Sequence, residues 1–295
     1  MAINFASKAS PKVLEAFTKE SITEGIFSKD YDWTGVATVR IYSVDTLPMQ
    51  DYDWDLVDGT SRFGSLTELG DTYQELTVNQ DKSFNGAIDK RNNNSTLMIK
   101  AAGKVLSRQT REVIVPMVDQ YRLAAIAAGN GVTDFGGTGG GTIEYNVSLS
   151  KSNIVETIMT SNKKLNNLLV PKKNRVLYIT ETEFIKCKLA DQILGANSNV
   201  AGLARDIVVN GEFGQLDGLH IVPVPDSYMP DGVVYMIVTK GCCISPKKIE
   251  TMRIIPDHPD IDGHVVQGRL LYDCFVFAKK ANGILVASSA AGGTT

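Results

Sequence analysis

The chain has little of what catalytic and metal centres are usually built from. It carries three histidines and four cysteines in 295 residues. Cys187, Cys242, Cys243 and Cys274 form no CxxC pair and no zinc-like spacing. The adjacent Cys242 and Cys243 lie in an apolar run, which predicts buried free thiols in a reducing compartment. No apolar window reaches the roughly 20 residues that a membrane span requires. The opening MAINFASKASPKVLEAFTKE lacks the apolar stretch of a secretory signal. An excess of charge is missing too. Lys and Arg total 30 against 33 Asp and Glu, a net charge of −3, which argues against a surface devoted wholly to nucleic acid. With 43% hydrophobic and 21% charged residues and no low-complexity block, the chain suits one larger or two modest globular domains with a sizeable core.

The motifs that resemble chemistry do not assemble into it. GGTGGGT at 136–142 lacks the Gly-Lys-Ser/Thr of a phosphate loop and follows a helical pattern, so it reads as a flexible linker. Asp257, His258, Asp260, Asp262 and His264 gather acidic and imidazole groups. They supply neither the oxygen ladder and closing Glu of a calcium loop nor a common zinc spacing, and an exposed turn is the expectation. His220 has no nucleophile near it in sequence, and no GxSxG elbow supports a triad. The pairs Glu181/Glu183 and Asp217/Asp226 are unspecific. No enzyme, cofactor or metal site is expected.

What is present is structural punctuation. Pro11 opens a short helix with Val13, Leu14 and Phe17 on one face, ending at Gly25. From Gly35, Val36, Thr38, Arg40 and Tyr42 alternate with Ala37, Val39 and Ile41 as a half-buried strand. Asp45 to Asp58 holds Tyr52 and Trp54 among five aspartates, and 73–88 returns as a second extended segment. Such a ribbon has few apolar residues for its length and needs a surface to lie on. That surface is either a neighbouring subunit or a satellite core of its own chain.

A long helical pattern runs from Lys100 to about Ala128, with Pro116 expected to kink or restart it. Ala102, Val105, Leu106, Val113 and Pro116 gather on one side. Lys100, Lys104, Arg108 and Arg111 gather on the other, a stripe that fits either a polyanion or a solvated face. Gly129–Gly141 is the best candidate domain boundary. Ser150 or Ser152 can cap a helix running to about Leu169. RVLYIT (175–180) reads as a buried strand, with a helix following from Glu181. In VVNGEFGQLDGLHIVPVPDSYMP (208–230), glycines 211, 214 and 218 separate apolar runs as strand, turn and strand. Strands are expected at 233–238, 249–255, 265–279 and 283–287. The fold class is α+β, with a strand-rich C-terminal half.

In serial order these pieces resemble the major capsid proteins of tailed bacteriophages, with the Hong Kong 97-type capsid fold. The resemblance rests on the arm, the two-stranded extended loop and the helix ending VPMVDQYRLAAIA (115–127). It continues through NIVETIMTSNKKLNNLLVPKKNRVLYITETEF (153–184), the GxxGxLxG run at 211–218 with IVPV, Asp226 and Met229-Pro230, and RLLYDCFVFAKKANGILV (269–286). It spans nearly the whole chain. The division it implies is an N-terminal arm (1–34) and an extended β-hairpin loop (35–98). A peripheral domain with the spine helix follows (99–135 and 245–280), then a central axial domain (136–244 and 281–295).

The resemblance implies a structural subunit that self-assembles into pentamers and hexamers and closes an icosahedral shell around double-stranded DNA. The shell protein of a cellular nanocompartment is the alternative. It implies location in the virion after assembly in the host cytoplasm, with a portal and, because no charged helical segment precedes the arm, a separate scaffolding protein as partners. It leaves decoration proteins open and implies no membrane. Tyr52 and Trp54 are the expected inter-subunit anchors. Asp257 and Asp260 are expected to pair with basic residues such as Arg62 around local three-fold axes. Lys100, Lys104, Arg108 and Arg111 are expected to face packaged DNA. The Lys, Asn and Glu of a crosslinking branch are not placed, so covalent crosslinking is not expected.

Overall fold

The computed structural model describes residues 20–31, 33, 38–52, 54–55, 61–64, 66–91, 102–137, 140–190, 215–256, 259 and 261–290. In chain order these give β1 (Thr38–Val44), β2 (Asp71–Thr77), β3 (Gln80–Asp89), α1 (Ala102–Gln109), a π turn (Thr110–Ile114) and α2 (Val115–Ala127). There follow β4 (Thr142–Glu144), α3 (Ile154–Asn167), β5 (Arg175–Thr180), α4 (Glu181–Lys188), β6 (Gln215–Leu216), β7 (Leu219–Val224) and β8 (Val233–Thr239). The chain ends with β9 (Cys243–Ile244), β10 (Lys247–Ile255), β11 (Gly263–Tyr272), β12 (Phe275–Val276) and β13 (Ile284–Ser288).

The centre is a six-stranded mixed sheet in the order β4-β13-β8-β5-β7-β6. Its strands read as unbroken apolar runs because helices cover both faces. Period-2 alternation assigns the side chains of RVLYIT. Leu177 and Ile179 join Ile154, Ile158, Leu165, Phe184 and Cys187 of α3 and α4. Tyr178 turns the opposite way, toward Leu123 and Ile126 of α2. The hairpin β6–β7 turns at Asp217 and Gly218, both with positive φ (49° and 77°), as an Asp-Gly type I′ turn requires. The glycine turn read at 218 is therefore present, whereas Val208–Gly214 lies outside the described residues.

α2 serves two cores. One side faces the central sheet, while Val118 packs with Leu270 and Tyr272 of β11 in a second sheet, ordered β10-β11-β3. That double burial makes α2 apolar around much of its circumference. The single long helix expected from Lys100 to Ala128 is instead two helices joined by a π turn. Pro116 has no N–H and opens α2, and the Val115 N–H reaches back five residues to the Thr110 carbonyl.

Three other expectations change. The α3 N-cap is Asn153, not Ser150 or Ser152. Its Oδ1 accepts from the Ser150 N–H at 2.7 Å, while the Ser150 carbonyl takes the Ile154 N–H. The strand expected over 265–279 ends at Tyr272, because Asp273 turns its carboxylate onto the following Cys274 N–H (2.8 Å). The chain then pairs again, as β12 with β9. The glycine run at 129–141 is not a free tether in its described residues. Phe135 lies against Gly129 and Gly141, and a Cβ at either glycine would approach its ring to 2.0 Å and 2.3 Å.

All four cysteines are free and buried. Burial pushes the Cys187 and Cys242 thiols up to about 11, so both are protonated and unreactive at neutral pH.

Candidate assembly interface

β1 and β2 form an antiparallel ribbon, Thr38 opposite Thr77 and Val44 opposite Asp71. The alternation read from the sequence holds: Arg40, Tyr42 and Val44 are exposed and Val39 and Ile41 half-buried. Hydroxyl pairs lock the register across the strands, Thr38 with Thr77 and Ser43 with Thr72, each at 2.8 Å. The root rests on a satellite core of Trp33, Leu76, Ile244, Phe275 and Phe277, with Val39 and Ile41 against it.

Gln74 clamps the ribbon to the body. Its Nε2 donates to the carbonyls of Gly131 (2.5 Å) and Val276 (2.9 Å), and its Oε1 accepts from the Ala278 N–H (3.0 Å). Asn79 N–H donates to Asp273 Oδ2 at 3.0 Å, and Lys279 Nζ lies 2.7 Å from Asp45. Asp273 also accepts from Tyr121 Oη, tying α2 to the same junction. Nothing in the strand pattern marked Gln74 apart from its polar neighbours.

Beyond Asp45 the connection is apolar and exposed. Met49 is 98%, Trp54 80% and Phe63 81% accessible, and Leu47, Leu66 and Leu69 are exposed with them. Tyr52 sits edge-on to both Trp54 (5.7 Å) and Phe63 (5.1 Å). Trp54 and Phe63 alone expose on the order of 300 Å², and the whole set exceeds the apolar patch that a free-standing protein normally shows to water. The expected anchors Tyr52 and Trp54 thus share one cluster with Phe63, which no sequence pattern singles out. Arg62 is exposed beside Phe63. Asp257 and Asp260, its expected partners from a neighbour, lie outside the described residues.

The basic stripe is less uniform than a helical projection implies. Lys104 and Arg111 are exposed, Arg108 is half-buried, and Lys100 lies outside the described residues. Arg108 Nε contacts Glu112 Oε1 at 3.0 Å, four residues on, so its charge is neutralised locally. The π turn begins at Thr110 and breaks the 100° phase on which the stripe was projected.

A buried polar lock, also unread in the sequence, fastens the chain's N-terminal segment to α2. Asp119, 1% exposed, accepts from Ser21 Oγ (2.8 Å), the Ile22 N–H (3.0 Å) and Thr23 Oγ1 (2.6 Å). Arg122 Nη1 donates to Glu24 (2.8 Å) and Thr23 Oγ1 (3.2 Å), Nε donates to Ser245 Oγ (2.9 Å), and the guanidinium lies 4.8 Å over the Phe27 ring. Burial disfavours the Glu24 carboxylate, but the hydrogen bond and charge of Arg122, with Lys247 and Lys29 nearby, outweigh it and hold its pKa below the ordinary value. The signal was available: an Asp and an Arg three residues apart inside an apolar helix must be paired when buried.

His220 is exposed on β7. Among the described residues, no three His, Cys, Asp or Glu side chains gather as a metal site, and no helix is long and apolar enough to cross a membrane.

No family model matches the chain, and no curated protein resembles it in sequence. Solved structures resemble it along its length. A chain from Mycobacterium phage Che8 superposes with a TM-score of 0.75 at 16% identity, over 98% of both chains. The capsid structure of the cyanophage P-SCSP1u gives 0.71 at 14% identity, over 98% of this chain and 94% of the other. The asymmetric unit of the mature capsid of bacteriophage PhiM1 gives 0.71 at 10% identity, over 97% and 92%. The α+β fold of this chain is that of phage capsid chains, from end to end.

Proposed function

We propose that the chain is the major structural subunit of an icosahedral phage capsid, acting through geometry and not through catalysis. The observation that carries this is the match to capsid chains over 97–98% of this chain, which leaves no additional domain for another task. The exposed ribbon supports it. An antiparallel pair ending in unpartnered Trp54, Phe63, Met49 and Leu66 is a surface waiting for a second copy.

In this reading residues 35–98 are the extended loop, laid over the adjacent subunit with Tyr52 and Trp54 as anchors. Residues 99–135 and 245–280 form the peripheral domain, and 136–244 with 281–295 the axial domain. Copies associate as pentamers and hexamers, a heterologous contact that closes by rotation. The shell encloses double-stranded DNA, with Lys104 and Arg111, and Lys100 beside them in sequence, contributing sequence-independent phosphate contacts. Arg108, paired with Glu112, contributes less. The virion is the site of action, the host cytoplasm the site of assembly, and a portal and scaffolding protein the partners in closure. Asp257 and Asp260 meet Arg62 of a neighbour around local three-fold axes.

The test is sedimentation of the purified chain, alone and co-expressed with its scaffolding partner. Discrete ring-sized and shell-sized species support the proposal, and a monomer at all concentrations contradicts it.

A further inference from the structure

At the root of the ribbon, outside the hydrogen-bonded clamp, lies a recess of about 220 Å³ lined by Ser28, Lys29, Tyr31, Trp33, Lys247 and Lys248, closed by Ile244, Ser245 and Pro246. Three lysines meet there. Lys29 and Lys247 are exposed and Lys248 half-buried. Lys29 and Lys247 stand close enough to Glu24 to lower its pKa, but Glu24 is itself bonded to Arg122. Asp30, next in sequence, receives the Ser28 hydroxyl.

Trp33 supplies an independent observation. It is 4% exposed, stacked on Phe275 at 5.9 Å, and its indole Nε1–H is buried with no acceptor. A buried N–H without a partner costs about 1–3 kcal/mol. A native fold tolerates that most readily where a ligand supplies the missing acceptor. Lysines around an unsatisfied donor specify an anion.

The same chain holds a matching anion. Between Asp45 and Asp71 the sequence has seven carboxylates against the single Arg62. Asp51 is exposed there, next to the Tyr52–Trp54–Phe63 cluster. None of residues 45–71 lines the recess of its own chain. The strands of the ribbon are fixed by Gln74 and by the Lys279–Asp45 pair, so the acidic end is directed away from its root to another molecule.

We propose that the lysine recess of one copy receives the acidic, aromatic connection between β1 and β2 of the next. Asp51 is set among Lys29, Lys247 and Lys248, and a carboxylate of that connection is brought to the Trp33 Nε1–H. This rests on the self-assembly proposed above and names the receiving surface. Tip-to-root contact is directional, so each copy donates one loop and accepts one. The opposite charges also steer encounter in the productive orientation.

The test uses the full chain in assembly reactions at low and raised salt. Replacing Lys247 and Lys248 with Asp, or Asp51 with Lys, is expected to slow assembly by about tenfold or more at low salt. Combining D51K with K247D and K248D should recover much of it. The pair D51C and K248C, made in one chain, should give disulfide-linked multimers on mild oxidation, which neither single variant gives. The variants' melting transitions confirm that each folds.

Wild-type shells with unaffected assembly of both charge variants and no multimers from the cysteine pair overturn this inference while leaving the capsid reading intact. Lysine variants that assemble normally but lose bound DNA show that the recess meets nucleic acid, and overturn it equally. A wild-type chain that forms no rings or shells overturns the capsid reading, and this inference with it.

Discussion

Thr23 Oγ1 donates to Asp119 Oδ1 across 2.6 Å, joining residues 96 positions apart in a buried contact. Asp119 holds two more donors of the same segment, so one carboxylate fixes residues 21–23 against the middle of α2. Replacing Asp119 with Ala leaves those donors without acceptors and Arg122 with less counter-charge. The expected loss is about 3 kcal/mol or more, read from denaturant unfolding of the unassembled chain. Cleavage between residues 20 and 31 under limited proteolysis should rise in parallel, because the segment loses its anchor.

Glu24 gives the same junction a pH dependence. Its pKa is lowered on folding from the ordinary 4.5, so the stability it contributes is fully present above pH 4.5 and is lost as pH falls through the lowered value. Glu24→Gln should therefore melt below the wild type at pH 7, and the two curves should converge as pH drops toward 3. A gap that persists at low pH contradicts this assignment.

These contacts mark where the sequence was legible and where it was not. Ribbon strand β1, the buried strand β5, the Asp-Gly turn at 217–218 and the apolar character of α2 follow from alternation and turn chemistry, which act over a few residues. The π turn escaped because a proline announces a break but not which hydrogen-bond register replaces it. The end of β11 escaped because Asp273 acts through partners at Asn79 and Tyr121, distant in sequence. Of the interface, Tyr52 and Trp54 stood out as aromatics among aspartates. Gln74 and the recess around Trp33 depend on chain segments about 200 residues apart, and no local pattern encodes that meeting.

Trp54 is 80% exposed and makes only the edge contact with Tyr52 among its ring contacts. Trp54→Ala should change the stability of the unassembled chain by no more than about 0.5 kcal/mol. It should raise the concentration needed for assembly about tenfold or more, as loss of an interface anchor does. Sedimentation across a concentration series reads both. A large drop in the melting temperature would instead place Trp54 in the fold of its own subunit.

The helix cations separate by their partners. Lys104→Glu with Arg111→Glu should leave shells intact but lower DNA retention. The dependence of retention on salt should also become shallower, by about one unit of log–log slope for each phosphate that the variant no longer neutralises. Arg108→Glu should act mainly on stability, because it places two carboxylates together in the Arg108–Glu112 pair. Equal retention by all three single variants and the wild type would contradict a DNA-facing role for this helix.

The central claim is that copies of this chain build a closed shell, and negative-stain electron microscopy of the chain expressed with its scaffolding partner tests it most directly. The account predicts closed icosahedral particles, with rings of five and six subunits among the incomplete products. A field of isolated monomers under every assembly condition, from protein with an intact melting transition, would contradict it.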